Sequence, residues 1–503
     1  MLDFIIRHNR LSVLLLGAIS IWVFAPWFWL WAGFVGFGGL MFLLQNKNTK
    51  KELFACGYCF GVSHFACGFS WIGNALLLDA EKFGWVYPIA LAALGLFFGL
   101  FAAFPALFTY YANNRWQKWL MFGGMWVIFE WLRSFLLTGF PWNLLGYSWA
   151  FDSKLMQIAS IGGVYTCSLG AVLTYSLSSM LLDKSDGKRW LKVIVLEFLL
   201  LVSVYSYGYW RETTAKTEET NYIVRIVQPS IPQNIKWSKE QAETNFQKYV
   251  ELSKSNSDNK PDMVIWGETA SPFMLDRDEL HRLYVTSVLP PGGLLITGMI
   301  SYHYNQDRYM PYNSIAVIDA QGNVRGYYHK SHLVPFGEYI PWRKYLPSFL
   351  RPIANTIGQF GQGKGPSTLQ LNDFPSIGGA VCYEIIFPHS VIDQKQRPDV
   401  LVNVTNDGWY GDSAGPYQHW TTVKFRAVEE GITIIRAANN GISGMINAYG
   451  QEKGIMSHNQ VGVSDITLEK SLEKSTVYGQ YGNKIILILC LILIVCGVIR
   501  RRN

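Results

Sequence analysis

Three residues in the second half of the sequence carry the side chains that covalent catalysis needs. Glu268 follows the apolar run MVIW, Lys330 follows VRGYYH, and Cys382 follows IGGAV. They supply a base, a cation and a nucleophile, which together can perform acyl transfer. Each ends an apolar segment with β-strand character, and strand ends meet at one edge of an open α/β sheet. We therefore predict that the three residues form one site.

Each of these residues also has an ordinary structural interpretation. A carboxylate after a strand can begin a helix, most lysines lie on the protein surface, and a lone cysteine is often a small packing residue. The other cysteines all lie within long apolar segments, at Cys56, Cys59, Cys67, Cys167, Cys490 and Cys496. Cys382 therefore has no neighbour in the polar region with which to form a disulfide bond, which favours a chemical role.

The composition divides the chain into membrane and globular regions. Half of the 503 residues are hydrophobic and only 16% are charged. Because a helix needs roughly 20 apolar residues to cross a bilayer, the apolar blocks predict eight spans. They are 11–25, 27–45, 53–76, 87–111, 119–138, 156–181, 191–210 and 485–499. The predicted domains are 1–210 with seven spans, 211–482 as a globular catalytic domain, and 483–503 with the eighth span and a basic tail.

Basic residues predict how these spans are oriented. With the N-terminus inside, the short cytoplasmic loops hold fourteen Lys and Arg residues, whereas the short outer loops hold only Lys82 and Lys154. This asymmetry follows the positive-inside rule and places both termini in the cytoplasm. The region 211–482 then faces the periplasm of a bacterial inner membrane. The net charge of +7 reflects this orientation, so we expect no nucleic-acid partner.

The region 211–482 alternates between strand-like and helix-like segments, which is typical of an α/β fold. The segment DAQGN predicts a hairpin turn between two strands. The predicted strands are 222–229, 263–268, 293–301, 313–330 with its internal turn, 377–384, 400–407 and 442–451; the predicted helices are 238–256, 276–288 and 416–438.

Several motifs in this region resemble those of the nitrilase superfamily, whose members carry a Glu-Lys-Cys triad in the chain order found here. The shared motifs are QPSIPQNIKW, WGET, YNS, HKSHLVPFGEYIP, CYE and TNDGWYGDSAGPYQH. Such a domain combined with eight spans is similar to the apolipoprotein N-acyltransferase family, and the resemblance covers nearly the whole chain. It implies an αββα sandwich for the globular domain.

The resemblance also implies roles for individual residues in a two-step, ping-pong reaction. Cys382 would be the nucleophile, Glu268 the general base and Lys330 the stabiliser of the oxyanion, which would also hold Cys382 as a thiolate. A supporting set is implied at Glu338, Glu384, Tyr383, Trp237 and Asn313, for each of which packing or capping is the alternative. No cofactor is implied, and the histidines and acids offer no metal site.

The same resemblance implies the substrates. The acyl donor would be a membrane phospholipid, phosphatidylethanolamine or phosphatidylglycerol, and the acceptor a diacylglyceryl-apolipoprotein; the enzyme would be a monomer. The aromatic stretches 138–151 and 341–360 have the composition of a lipid entrance. Glu130 and Arg133 stand one helical turn apart in the fifth span, where mutual pairing is favoured over a contact with a headgroup.

Two other functions remain open on the sequence alone. A membrane-anchored nitrilase-type amidase would use the same triad but would need only one anchor. A transporter or receptor with an outer binding domain would make Cys382 incidental, so that Cys382→Ala would leave its function intact.

Overall fold

The computed structural model describes residues 9–181, 189–254, 260–305, 308–341, 343 and 359–499. The chain forms two compact units. The helical unit contains residues 1–215, 410–430 and 475–503, and the sheet unit contains 216–409 and 431–474. Neither unit is one continuous stretch of sequence, because the segment 410–430 leaves the sheet unit and joins the helical one.

The helical unit consists of long apolar helices joined by short connections. Its helices of twelve or more residues are Asn9–Ser20, Leu30–Gln45, Lys50–Gly68, Val86–Phe108, Arg115–Arg133, Val164–Leu181, Arg189–Thr213, Gly415–Glu430 and Lys484–Val498. Short helices lie between them at Asn74–Leu77, Ala80–Phe83, Ser153–Met156, Ala159–Gly162 and Val477–Tyr481. A long helix occurs in each of the eight segments predicted to span a membrane.

Length and composition single out fewer of these helices as complete spans. Within the described ranges, the helices over 86–111 and 191–213 are long and apolar enough to cross a membrane, and the bent pair Lys50–Gly68 and Ser70–Leu77 would make a third. The apolar helices over 10–23, 30–45 and 484–498 are shorter. The predicted span 156–181 begins as a helix only at Val164, after the break at Gly163, whose φ of 72° lies in the left-handed region.

Glu130 and Arg133 are both buried, but they do not pair with each other as the sequence suggested. Glu130 accepts hydrogen bonds from the Trp126 indole at 3.0 Å and from the Leu145 amide at 2.8 Å. Arg133 donates to the carbonyls of Phe140 at 2.8 Å and Trp142 at 2.7 Å. The predicted ion pair is therefore wrong, because each side chain binds the backbone that follows the helix.

The sheet unit contains two six-stranded sheets. The first has the order β12-β1-β2-β3-β4-β5 and the second β11-β10-β9-β8-β7-β6. The strands are β1 Glu219–Gln228, β2 Met263–Trp266, β3 Leu294–Asn305, β4 Arg308–Asp319, β5 Val324–His329, β6 Thr368–Leu369, β7 Ile377–Val381, β8 Val400–Thr405, β9 Thr433–Ala438, β10 Ser443–Ile446, β11 Glu452–Met456 and β12 Gly462–Glu469. The sheets face each other, since β3 packs on β8 and β4 on β7.

The central strands are parallel and buried along their whole length, which explains their continuous apolar sequences. β7 pairs with β8 and β8 with β9 in parallel, and all the residues of these three strands are buried. Gly379 lies at a close approach of the two sheets, since a Cβ there would meet the Tyr328 ring at 2.4 Å. The predicted DAQGN turn is confirmed between β4 and β5, which pair antiparallel.

Helices cover the outer side of the first sheet. Those at Ala242–Lys254 and Glu279–Thr286 contribute Phe246, Tyr249 and Val285 to a core shared with β2, and a four-residue helix occupies Gln233–Lys236. The prediction of one helix over 416–438 is wrong. The helix ends at Glu430 because Gly431, with φ at 63°, terminates it, and the β-branched run that follows forms β9.

Candidate active site

Glu268 and Lys330 meet where β2 and β5 of the first sheet end. Both are buried, at 6% and 1% exposure. The Lys330 ammonium lies 3.9 Å from a Glu268 carboxylate oxygen and 3.0 Å from Glu338. Asn313, on β4 between them, donates through its side-chain nitrogen to Glu268 at 2.8 Å and to Glu338 at 2.9 Å. The structure thus brings four of the predicted residues into one hydrogen-bonded cluster.

Cys382 faces this cluster from the second sheet. It follows β7 directly and begins the 3-10 helix Cys382–Ile386, with φ at 52°. A residue other than glycine in this region costs about 1–3 kcal/mol, so the surrounding structure must enforce the turn. Asn403 on β8 contributes by donating to the carbonyls of Ala380 at 3.0 Å and Cys382 at 3.5 Å. Backbone strain is therefore stored at the nucleophile itself.

The electrostatics of the site keep the cysteine protonated at rest. Burial, and after it the charge of Glu268, raises the pKa of the Cys382 thiol to about 12, although the Lys330 ammonium acts in the opposite direction. Burial also opposes the charge of Lys330, but Glu338 and Glu268 outweigh it and raise the pKa of that ammonium above its usual value. Lys330 thus favours the thiolate form of Cys382, but burial outweighs this effect at rest, and the role of Lys330 in holding the thiolate stays a prediction. Cys382 needs a base.

Glu384 fixes the loop that follows Lys330. One carboxylate oxygen accepts from the Ser331 amide and hydroxyl and from the His332 amide at 2.7–2.9 Å. The other accepts from the Tyr328 hydroxyl at 3.0 Å and the Val381 amide at 2.8 Å. Glu384 therefore ties the end of β5 to the residue before Cys382.

Tyr383 and Trp237, the remaining predicted residues, lie in different settings. Tyr383 is 5% exposed, and its ring contacts Phe387 and His332 with centroids 5.1 and 5.5 Å apart. Trp237 is 47% exposed, so its indole is available to a ligand. In the proposed lipid entrance, Trp342, Leu346 and Phe349 lie outside the described residues.

Two buried cations near the site were missed by the sequence analysis. Lys236 precedes Trp237 and donates to the Glu268 carbonyl at 2.9 Å. Arg436 on β9 donates to the Asn403 side-chain oxygen at 2.6 Å and to Asp407 at 2.8 Å. The motif QPSIPQNIKW includes Lys236, and its position directly before Trp237 is the signal that the sequence offers. Across the described ranges, no three His, Cys, Asp or Glu side chains group as metal ligands would.

Comparison with known proteins accounts for both units. Residues 16–177 match the profile described as apolipoprotein N-acyltransferase N-terminal domain, and residues 223–469 match that of carbon-nitrogen hydrolase. The apolipoprotein N-acyltransferase of Rickettsia typhi is 34% identical over 94% of this chain and 95% of its own. The chain belongs to the apolipoprotein N-acyltransferase family. A second relative, the apolipoprotein N-acyltransferase of Brucella melitensis, is 35% identical over 91% of this chain and 89% of its own. The sheet unit thus has the carbon-nitrogen hydrolase fold, and the protein is an acyltransferase of the nitrilase superfamily.

An amidase from Nesterenkonia sp. is similar among solved structures. It aligns with 50% of this chain and 92% of its own at 16% identity and a TM-score of 0.35.

Proposed function

We propose that this protein transfers an acyl chain from a membrane phospholipid to the α-amine of the diacylglyceryl-modified N-terminal cysteine of apolipoproteins. The observation that supports this most strongly is the Cys382 thiol, held in a strained turn opposite a buried carboxylate and a buried ammonium. Family membership supports acyl transfer to apolipoproteins, the activity for which the relatives are named.

In the first half-reaction, Cys382 attacks the carbonyl carbon of the phospholipid ester. Glu268 takes the thiol proton, which is required because burial keeps the resting thiol protonated. The negative charge that develops on the carbonyl oxygen is stabilised by Lys330, a role commonly worth about 3–4 kcal/mol. The ester C–O bond then breaks, Glu268 returns the proton to the departing oxygen, and a lysophospholipid leaves an acyl thioester on Cys382.

In the second half-reaction, the α-amine of the acceptor attacks the thioester carbonyl. Glu268 accepts the proton that the amine loses as the new C–N bond forms. The C–S bond breaks as the oxyanion collapses, and the proton restores the Cys382 thiol. The product is an amide, so the step is driven by exchanging a thioester for a more stable acyl bond.

The supporting residues act through these three. Glu338 and Asn313 fix the Lys330 ammonium and the Glu268 carboxylate by direct hydrogen bonds. Glu384 holds the loop on which Lys330 sits relative to Cys382. Tyr383 packs against the rings of His332 and Phe387, and the exposed Trp237 would contact an incoming substrate.

We further propose that the chain crosses the bacterial inner membrane eight times, with both termini in the cytoplasm and the sheet unit in the periplasm. The eight predicted segments each contain a long helix, and the basic residues favour the cytoplasmic side. The donor would be phosphatidylethanolamine or phosphatidylglycerol, reached through the segments 138–151 and 341–360, and the enzyme would act as a monomer. Cytoplasmic activity of a reporter fused near residue 215 would overturn this topology.

The covalent route is tested by incubating the purified protein with phosphatidylethanolamine and no acceptor, followed by intact-mass measurement. We expect an added acyl mass that hydroxylamine removes and that Cys382→Ala lacks. Cys67→Ala, which removes an exposed thiol of the helical unit, is the matched control and should still be acylated. If the wild-type enzyme converts an apolipoprotein yet never carries the adduct, the thioester mechanism is wrong.

The entrance is tested separately. Polar substitutions of Trp342, Leu346 and Phe349 should slow acylation by phospholipid vesicles. The same variants should react normally with a soluble short-chain ester, which needs no membrane access. Unchanged rates with vesicles would exclude this segment as the entrance.

A further inference from the structure

Lys236 is a buried ammonium without a carboxylate partner. Its residue is 4% exposed, and its nitrogen donates to the Glu268 carbonyl at 2.9 Å and the Thr269 hydroxyl at 3.3 Å. No carboxylate of the residues that the structure describes lies within ion-pair distance of it. A buried charge that has only neutral partners lowers the stability of the fold. Its position therefore indicates where that charge is needed.

That place is the turn that carries the general base. Thr269 follows Glu268 with φ at 43°, in the left-handed region, and Lys236 binds both residues of this turn. The charge of Lys236 also acts on the Glu268 carboxylate and on the Cys382 thiol. The charge of Lys236 therefore interacts with both groups between which the proton moves.

The charges around Glu268 balance only when Lys236 is counted. Lys330 sits between two carboxylates, Glu338 at 3.0 Å and Glu268 at 3.9 Å. With Lys330 alone the cluster carries one excess negative charge, and Lys236 brings it to zero. The other nearby acids are satisfied elsewhere: Asp407 pairs with Arg436 at 2.8 Å, and Glu384 accepts from amides and hydroxyls.

We propose that Lys236 is a positioning residue that holds the Glu268 turn and supplies the second positive charge needed while the thiol proton moves to Glu268. This inference rests on the proposed acyl transfer. When Cys382 gives its proton to Glu268, the negative charge passes to sulfur and then to the carbonyl oxygen. With Lys236 in place, the summed charge of Glu268, Glu338, Lys330, Lys236 and Cys382 stays at zero throughout, whereas without it these side chains carry a net negative charge away from water.

The protonation of Lys236 gives the idea a distinct signature. Burial, opposed by Glu268 and Cys382, lowers the pKa of Lys236 to about 8. Above that pH a growing fraction of the enzyme has a neutral lysine. Acylation should therefore decline on the alkaline side of about pH 8, even though Cys382 itself does not titrate there.

The test measures Cys382 acylation by phosphatidylethanolamine vesicles from pH 6 to pH 10 in wild type, Lys236→Met and Lys236→Arg. Lys236→Met should be about a hundredfold slower at pH 7 and should lose the alkaline decline. Lys236→Arg keeps a charge that does not titrate in this range. It should act within about tenfold of wild type and also lack the decline. Lys239→Met, at an exposed lysine of the same segment, is the matched control and should follow the wild-type profile.

The outcomes separate this inference from the proposed function. Absence of an adduct in wild type contradicts acyl transfer by Cys382 and says nothing specific to Lys236. If wild type and Lys236→Met are both acylated with the same pH profile, the charge-balancing role is wrong. A folded Lys236→Arg that is as slow as Lys236→Met would likewise exclude it, because charge would then not be what the site requires.

Discussion

The buried ion pair of Arg426 and Glu429 in the helical unit differs in its arrangement from the buried charges at the candidate active site. In the helical unit, Arg426 and Glu429 are completely buried and lie 2.6 Å apart, and Glu429 also accepts from the Val164 amide at 2.6 Å. In the sheet unit, Lys330 lies 3.9 Å from Glu268, whose closest partner is the neutral Asn313 amide. One carboxylate is committed to a cation and a backbone amide, and the other is left without a close cation.

The difference indicates what each cluster is for. A close pair of opposite charges fixes one arrangement of its two side chains. A base that must take and return a proton cannot be bound so tightly. Glu268 is therefore surrounded by charge, from Lys330 and Lys236, without a short ion pair to either.

Removing the base should produce the largest effect. Glu268→Gln keeps the shape of the side chain but cannot accept the thiol proton, so we expect Cys382 acylation to fall about a thousandfold. The rate is measured by intact mass at several times after addition of phospholipid. Glu279→Gln, at an exposed glutamate of the same unit, should behave as wild type. A Glu268→Gln enzyme of nearly normal rate would show that another group activates the thiol.

Breaking the Arg426–Glu429 ion pair should lower the stability of the protein but leave acyl transfer intact. Arg426→Met leaves Glu429 buried without its cation and should lower the free energy of unfolding by about 3–5 kcal/mol. The double variant Arg426→Met with Glu429→Gln removes both charges and should recover most of that loss. Thermal unfolding in detergent measures both. Acylation per folded molecule should not change, and a loss of acylation in well-folded double variant would contradict a purely structural pair.

Glu384 allows a smaller test inside the sheet unit. Glu384→Gln replaces an acceptor-only group by one whose nitrogen meets donors, and it should destabilise the protein by about 1.5–3 kcal/mol. Because Glu384 ties Lys330's loop to Cys382, we also expect about a tenfold slower acylation. Denaturant unfolding and acylation are measured together. A stability loss without any slowing would restrict Glu384 to folding.

The smallest effect is the pH dependence of stability contributed by Lys236. Its folded pKa, about 8, lies below the ordinary lysine value of 10.5. Between these values the unfolded chain binds a proton that the folded chain lacks, so the free energy of unfolding rises with pH, by at most about 1.4 kcal/mol per pH unit. Wild type should therefore gain stability relative to Lys236→Met from pH 8 to 9.5. A constant difference would mean that Lys236 keeps its ordinary pKa.

Sequence patterns predicted much of the fold because the elements carry strong local signals. Continuous apolar runs identified the buried parallel strands, and a turn sequence identified the hairpin of β4 and β5. The helix over 416–438 was overextended because its apolar periodicity continues into β9. Gly431 marked the boundary, but its positive φ becomes evident only in the structure.

The site was predicted where a residue's type reveals its chemistry. Glu268, Lys330 and Cys382 stood out as a base, a cation and a nucleophile at strand ends. Lys236 and Arg436 did not stand out, because a basic residue is expected on the protein surface unless its burial is known. How strongly burial raises the pKa of the Cys382 thiol could not be predicted, since it depends on the three-dimensional neighbours of that side chain.

The division of the chain between the units has a consequence for how the protein is made. Phe425 and Val428 belong to the core formed by the first helices of the chain, yet they emerge from the ribosome some two hundred residues later than Thr213, where those helices end. The core of the helical unit therefore cannot be completed until β1 through β8 have been synthesised. A fragment limited to 216–474 would carry this helix without its partners and expose its apolar face. We expect such a fragment to aggregate, and synthesis of both units as one chain to be a condition of assembly.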